Sequence, residues 1–363
     1  MSKNMSKYII CKPSLIAVII TAMVLLLATA GCGDKNGQER TAPGSTVEQN
    51  LTSKQVQSAE QTPVAVQFAS TVQKASAQKF PLKVTDDNGV EMTIASEPKR
   101  IISITLGSDE MLLGLVDKSR ILALTKYADD AGISNVAAEA AGIKERATMD
   151  DLESVIAMKP DLVIVDTWAD AKYVKQLRDA GITAYAFKTP SNIDEQKDTI
   201  ADLAHITGTD EKGREILEWM DIKLKEIEEK LSGIKPKDKL TVMDYGEMNS
   251  SGKGTNFDDI VTRAGLINVV SRAGMEGWPL LSKEKIIELN PDIIILPSWY
   301  YDKNNSLQGM IDTFKNDKSM QTVKAVSNDR LISVSNPHLS AISQYVVLGI
   351  EDVAKAAYPE LFK

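Results

Sequence analysis

Two glutamates, Glu153 and Glu284, occupy equivalent places in a duplicated segment: residues 153–165 align without gaps on residues 284–296, a constant offset of 284 minus 153, or 131. Each copy reads as an acid at a helix start, a Pro-Asp turn (Pro160-Asp161, Pro291-Asp292) and an apolar strand directly after. A single acid at a helix start does no more than favour the helix dipole. Two such acids on two equivalent units make a matched pair of negative points, suited to a partner with two basic pockets. A second group of residues is aromatic. Tyr127, Trp168, Trp299 and Tyr300 each follow an expected strand, Tyr245 ends one, and Trp278 precedes the second repeat unit. Rings at the carboxyl ends of strands can stack on a flat ligand with few hydrogen bonds, although each taken singly also fits plain packing. His338, in a turn after the strand expected at 331–334, faces either a ligand or solvent.

The residues for catalysis are sparse. Gly252-Lys253-Gly254-Thr255 fails as a phosphate-binding loop, because Glu247 stands where the first glycine belongs and Gly254 follows the lysine. No Gly-x-Ser-x-Gly elbow and no His-Glu-x-x-His is present, and two histidines leave little choice of general base. His205 lies in a helical segment; with just two histidines in the chain a three-histidine site for a bare metal ion cannot be assembled, and no cofactor is called for. The two cysteines, Cys11 and Cys32, both fall in the amino-terminal segment, leaving the rest of the chain neither disulfide nor thiol nucleophile. A formal charge of -8 and the lack of a basic stripe exclude nucleic acid as a partner.

The elements that must position these residues follow from patterning. Lys3, Lys7 and Lys12 precede an apolar run at 15–27 and small residues before Cys32, which reads as a signal peptide over 1–31. The run is short for a spanning helix, which needs roughly 20 residues, though an uncleaved anchor helix stays open. Residues 27–32 resemble a bacterial lipobox, with Thr29 in place of the usual leucine, so Cys32 is the expected lipidation site. A Gln, Ser, Thr and Ala-rich stretch over 32–80 has no helical or strand period and reads as a tether. From Pro81, Asp86-Asp87-Asn88-Gly89 predicts a hairpin whose Asn-Gly pair takes left-handed angles. Strands and helices then alternate, predicting an α/β fold of two Rossmann-like lobes with parallel sheets, at 81–209 and 233–363. Between them, apolar residues at helical spacing over 210–232 predict one long helix, capped by Asp210 and ~30 Å in length. Trp219, midway along it, is a packing residue.

From Pro81 onward the chain resembles the substrate-binding proteins of iron-siderophore, haem and cobalamin ABC importers, the class with a helical backbone. The resemblance rests on Asp86–Gly89 with residues 98–103, Glu110, Asp151-Leu152-Glu153 with residues 159–163, Gly254-Thr255 with residues 257–259, Ala264-Gly265, Trp278-Pro279, Glu284 and residues 290–292. It implies two three-layer lobes, a ligand in the cleft, small hinge motion and one glutamate per lobe, here Glu153 and Glu284, docking on arginines of a permease dimer with its ATPase. It implies a monomeric, lipid-anchored receptor on the extracytoplasmic face of a membrane. Its guest would be a metal chelate, with a corrinoid favoured and haem or a ferric siderophore open. Tyr127, Trp168 and Trp278 fall near positions similar to the aromatic lining of the cobalamin-binding branch, whereas Ala147 and Asn249 stand where that branch carries rings. Arg146, Arg263 and Arg272 are the arginines that could serve an anionic siderophore. The alternatives are a lipoprotein interaction module without a chelate and an envelope enzyme.

Overall fold

Runs of Ile, Val and Leu that are apolar on consecutive positions bury both faces of a strand, and the computed structural model of the chain uses them in that way. It describes residues 79–363 apart from positions 247, 248, 301 and 303. The expected signal peptide, Cys11, Cys32 and the expected tether up to residue 78 lie outside the described residues. Among those described, no helix is long and apolar enough to cross a membrane.

The hairpin pairs β1 (Leu82–Thr85) with β2 (Glu91–Ile94), Leu82 opposite Ile94. Its turn differs from the expected Asn-Gly pair: only Gly89 is left-handed (φ 76°), and the Asp86 carboxylate fastens the loop by accepting from Asn88 N and Val90 N. The buried Asp86 also pairs with Arg178.

The first lobe is a five-stranded parallel sheet in the order β5-β4-β3-β6-β7, with β3 Ile101–Ser103, β4 Ile121–Leu124, β5 Glu145–Arg146, β6 Leu162–Asp166 and β7 Thr183–Phe187. The second is a four-stranded parallel sheet in the order β11-β10-β8-β9, with β8 Thr241–Asp244, β9 Ile267–Asn268, β10 Ile293–Ile295 and β11 Leu331–Ile332. Alternate residues serve different cores. Ile101, Leu162, Ile164, Val242, Ile293 and Ile295 face one cluster common to both lobes. Ile102, Val163 and Val165 face a cluster of the first lobe only, and Met243 and Ile294 a cluster of the second.

The long helix is observed at Asp210–Leu231, preceded by Thr209 in the capping position; Asp210 is the first helical residue and not the cap. Ile216, Met220, Ile227 and Leu231 are buried in the shared cluster, and Trp219 packs partly buried against it. Gly213 lets this helix approach Ile193–Thr207, since a Cβ there would meet Ala204 Cβ at 2.5 Å.

The repeat is also a structural repeat. Helix Leu152–Ala157 is capped by Asp151 and helix Lys283–Leu289 by Ser282, each cap accepting from the backbone three residues on. Lys159 (φ 51°) and Asn290 (φ 45°) end the two helices in the left-handed region, where non-glycine residues are uncommon. Asp161 then accepts from Lys99 N and Arg100 N, and Asp292 from Thr241 N and Oγ1, tying each helix turn to the start of the neighbouring strand. Because the two carboxylates do equivalent work, Asp161→Ala and Asp292→Ala are each expected to lower the unfolding free energy by about 1 kcal/mol. The less exposed Asp292 should cost more. Urea denaturation of both variants checks this, and a loss at only one site would show that the copies are not equivalent.

Candidate functional site

In both sheets the chain reverses direction across the sheet at one point, between β3 and β6 in the first lobe and between β8 and β10 in the second. Loops leaving the carboxyl ends of such neighbours diverge and open a crevice. The loops after β3 and β6, together with Ser340, Ala341 and Ile342 of the second lobe, enclose a cavity of about 200 Å³. Thr105, Gly107, Glu110, Asp166, Trp168 and Thr189 line it. Gly107 is required by close approach, as a Cβ there would lie 2.6 Å from the Ile342 carbonyl oxygen.

Glu110 ties the lobes together at the cavity floor. Its Oε1 accepts from Asn135 N at 2.8 Å and Nδ2 at 3.0 Å, its Oε2 from the Ser343 hydroxyl, and its carbonyl from Gln344 Nε2 at 2.9 Å. Asn135 also donates to the Pro337 carbonyl across the seam. Burial pushes the Glu110 carboxyl up to about 7, against the lowering influence of these donors. Its neighbour Asp109, buried and held by Thr125, is likewise pushed up to about 7 by burial. In the second lobe the Asp244 carboxyl, raised by burial, accepts from Ser250 and Ser251 and so fastens the loop after β8.

The aromatic candidates have different fates. Trp168, Trp278 and Tyr127 are 64%, 68% and 49% exposed, unusual for rings of this size. Tyr127 lies in the turn Lys126–Asp129 after β4. Trp278 rides on a loop braced by backbone bonds between Gly252 and Gly277 and between Lys253 and Met275. The Gly252–Thr255 stretch therefore has a structural role: Gly252 lies against the Met275 carbonyl, and Thr255 caps the helix Asn256–Arg263. The Tyr245 ring packs edge-on against Phe314, centroids 5.2 Å apart, and Tyr300 is buried. Trp299 crosses the cleft, its Nε1 donating to Asp130 Oδ2 at 3.1 Å. His338 lies in the short helix Asn336–Leu339, Nδ1 at 2.6 Å from Asp352 Oδ2, and His205 pairs with Asp210. Arg146 is engaged by Asp129 and three carbonyls, and Arg263 by Asp259 and Asp194. Glu153 and Glu284 are exposed, one on each lobe, each in the first turn of the helix that leads into β6 or β10. The geometry adds Asp166, Thr189, Asn135 and the 340–342 loop to the cleft. The one sequence signal for these was Asp166, a lone acid closing an apolar strand.

A family model described as periplasmic binding protein matches residues 101–337. An uncharacterized ABC transporter substrate-binding lipoprotein, YvrC of Bacillus subtilis, is 26% identical over 312 residues, 80% of this chain and 90% of the relative. A cobalamin-binding protein of Halobacterium salinarum is 21% identical over 220 residues, 60% of this chain and 59% of the relative. Among solved structures, the molybdate periplasmic binding protein MolA of Haemophilus influenzae, bound to molybdate, superposes with a TM-score of 0.65 at 20% identity. That alignment covers 77% of this chain and 92% of MolA, and it is a likeness of fold.

Since Glu110 holds its proton more tightly folded (about 7) than at its ordinary value of 4.5, its contribution to stability is full below about pH 4.5. That contribution is lost as the pH rises through 7. Asp109 acts in the same direction. Glu110→Gln should therefore flatten the fall in unfolding free energy between pH 5 and 7 by up to about 1.4 kcal/mol per pH unit. Denaturation curves at pH 5, 6 and 7 test it; an unaltered slope would mean that the group titrates elsewhere.

Proposed function

The chain belongs to the periplasmic binding protein family, and we propose that it is a lipid-anchored extracytoplasmic receptor that captures a metal chelate, a corrinoid before haem or a ferric siderophore, for an ABC permease. The observation that carries this reading is the exposure of Tyr127, Trp168 and Trp278, with Trp168 in the lining of the cavity between the lobes. Exposed rings of this size keep apolar area available for burial against a partner, and they suit a broad flat guest. The 200 Å³ cavity then receives only one edge of that guest, and the rings cover the rest.

The charges favour the corrinoid over an anionic siderophore. Arg146 and Arg263 are engaged by carboxylates of the chain itself, which leaves them little to offer an anionic guest. The lining residues Asp166 and Glu110 add no positive charge to the cavity, which disfavours a carboxylate-rich guest. Glu153 and Glu284 serve the permease side in this reading: they are exposed, one per lobe, and clear of the cavity lining.

Titration with cyanocobalamin, dicyanocobinamide, haemin and a ferric siderophore, followed by tryptophan fluorescence, is expected to show quenching, strongest for the corrinoids. Trp168→Ala and Trp278→Ala should each weaken binding roughly tenfold. Quenching by none of the four would remove the chelate assignment. Glu153→Ala combined with Glu284→Ala should leave affinity intact while uptake through the importer falls; full uptake by the double variant would remove the docking role.

A further inference from the structure

Trp168 and Trp299 are the same residue of the repeat, 299 minus 168 being 131, and each stands in the first loop after its strand, β6 or β10. Their settings differ. Trp299 leaves its lobe, bonds Asp130 and lies so close to Gly132 that a Cβ there would be 2.1 Å from the indole Cδ1. Trp168 stays on its own lobe, where its Nε1 donates to Thr189 Oγ1 at 3.1 Å. The Thr189 hydroxyl donates to Asp166 Oδ2, and Asp166 Oδ1 accepts from the Trp168 backbone N at 3.1 Å. The direction of this relay is dictated by chemistry. An ionised carboxylate only accepts, so the single hydroxyl proton goes to Asp166 and a lone pair is left for the indole N–H.

The relay has a cost that packing does not explain. Asp166 is 2% exposed, and burial raises its carboxyl above the ordinary range, while the ring it serves is 64% exposed. A buried acid that orients an exposed ring contributes little to the core. It does, however, remove the rotational freedom that a ligand would otherwise have to freeze. In the second copy Pro297 stands where Asp166 stands in the first (297 minus 166 is also 131) and offers no side-chain acceptor, consistent with Trp299 finding its partner on the other lobe.

We propose that Asp166 and Thr189 are positioning residues of the ligand site, acting through Trp168 to hold its indole as a fixed platform for a flat guest. This rests on the reading of the cleft as a ligand site, and the experiment separates the two claims. In the full chain the four tryptophans give four indole N–H signals, and the one lost in Trp168→Phe belongs to Trp168. Thr189→Val keeps the side-chain shape and removes the hydroxyl. It should speed solvent exchange of that N–H by about three- to tenfold, the scale of one net hydrogen bond, and leave the other three unchanged. Thr189→Ser should restore it. With cyanocobalamin as probe, Thr189→Val should weaken binding by about three- to tenfold, and Thr189→Ser should recover it. Unchanged Trp168 exchange in Thr189→Val overturns the positioning claim, and faster exchange with wild-type affinity overturns the platform role. Failure of the wild type to bind cyanocobalamin would sink the corrinoid reading instead, while the exchange data would still decide whether the relay holds the ring.

Discussion

Ile216, Met220, Ile227 and Leu231 of the long helix are buried in one apolar cluster with strands of both sheets, and the rest of the molecule depends on that shared burial. Each parallel sheet must be covered on both faces, and here one cover is common property. The lobes are consequently set at their spacing by a packed core and not by a flexible linker. Separating them would expose this cluster, which opposes any wide opening of the lobes.

Once both sheet faces are covered, the strand ends are the only place where side chains can meet a ligand. The carboxyl ends at the two reversal points face the seam, and the seam is closed at its floor by Glu110, Asn135, Ser343 and Gln344. A buried carboxylate here is expensive unless its acceptors are filled. Three side-chain or backbone donors fill them, two from the first lobe and one from the second, so the group works only when both lobes are in place. Trp299 adds a second tie at the rim through Asp130.

The duplication explains both what the halves share and where they part. The copies keep the cap, the left-handed helix end at Lys159 and Asn290, and the aspartate that holds the neighbouring strand, because these are local requirements of any helix-turn-strand unit. They diverge where the strands end, at Asp166 against Pro297 and in the settings of Trp168 and Trp299. Divergence there leaves the folding of each unit untouched, and the two walls of one cleft are thereby free to differ.

Local chemistry made much of this legible without coordinates. Apolar runs buried on both faces, helical spacing over 210–232 and the gap-free repeat announced two parallel-sheet lobes and a strut, since each is set by near neighbours in the chain. The two-residue strands β5 and β9 carry no period and could not be read. For the site, the repeat and the ring positions were visible, but which rings remain exposed was not. Tyr245 and Trp299 look in sequence like Trp168, and only the folded arrangement puts Phe314 against one, Asp130 of the opposite lobe against another, and Thr189 beneath the third. The reason is physical: capping and periodicity act over one or two turns, whereas the partner of an indole N–H is chosen by contacts 21 or 169 residues away, which exist only after the chain has closed on itself.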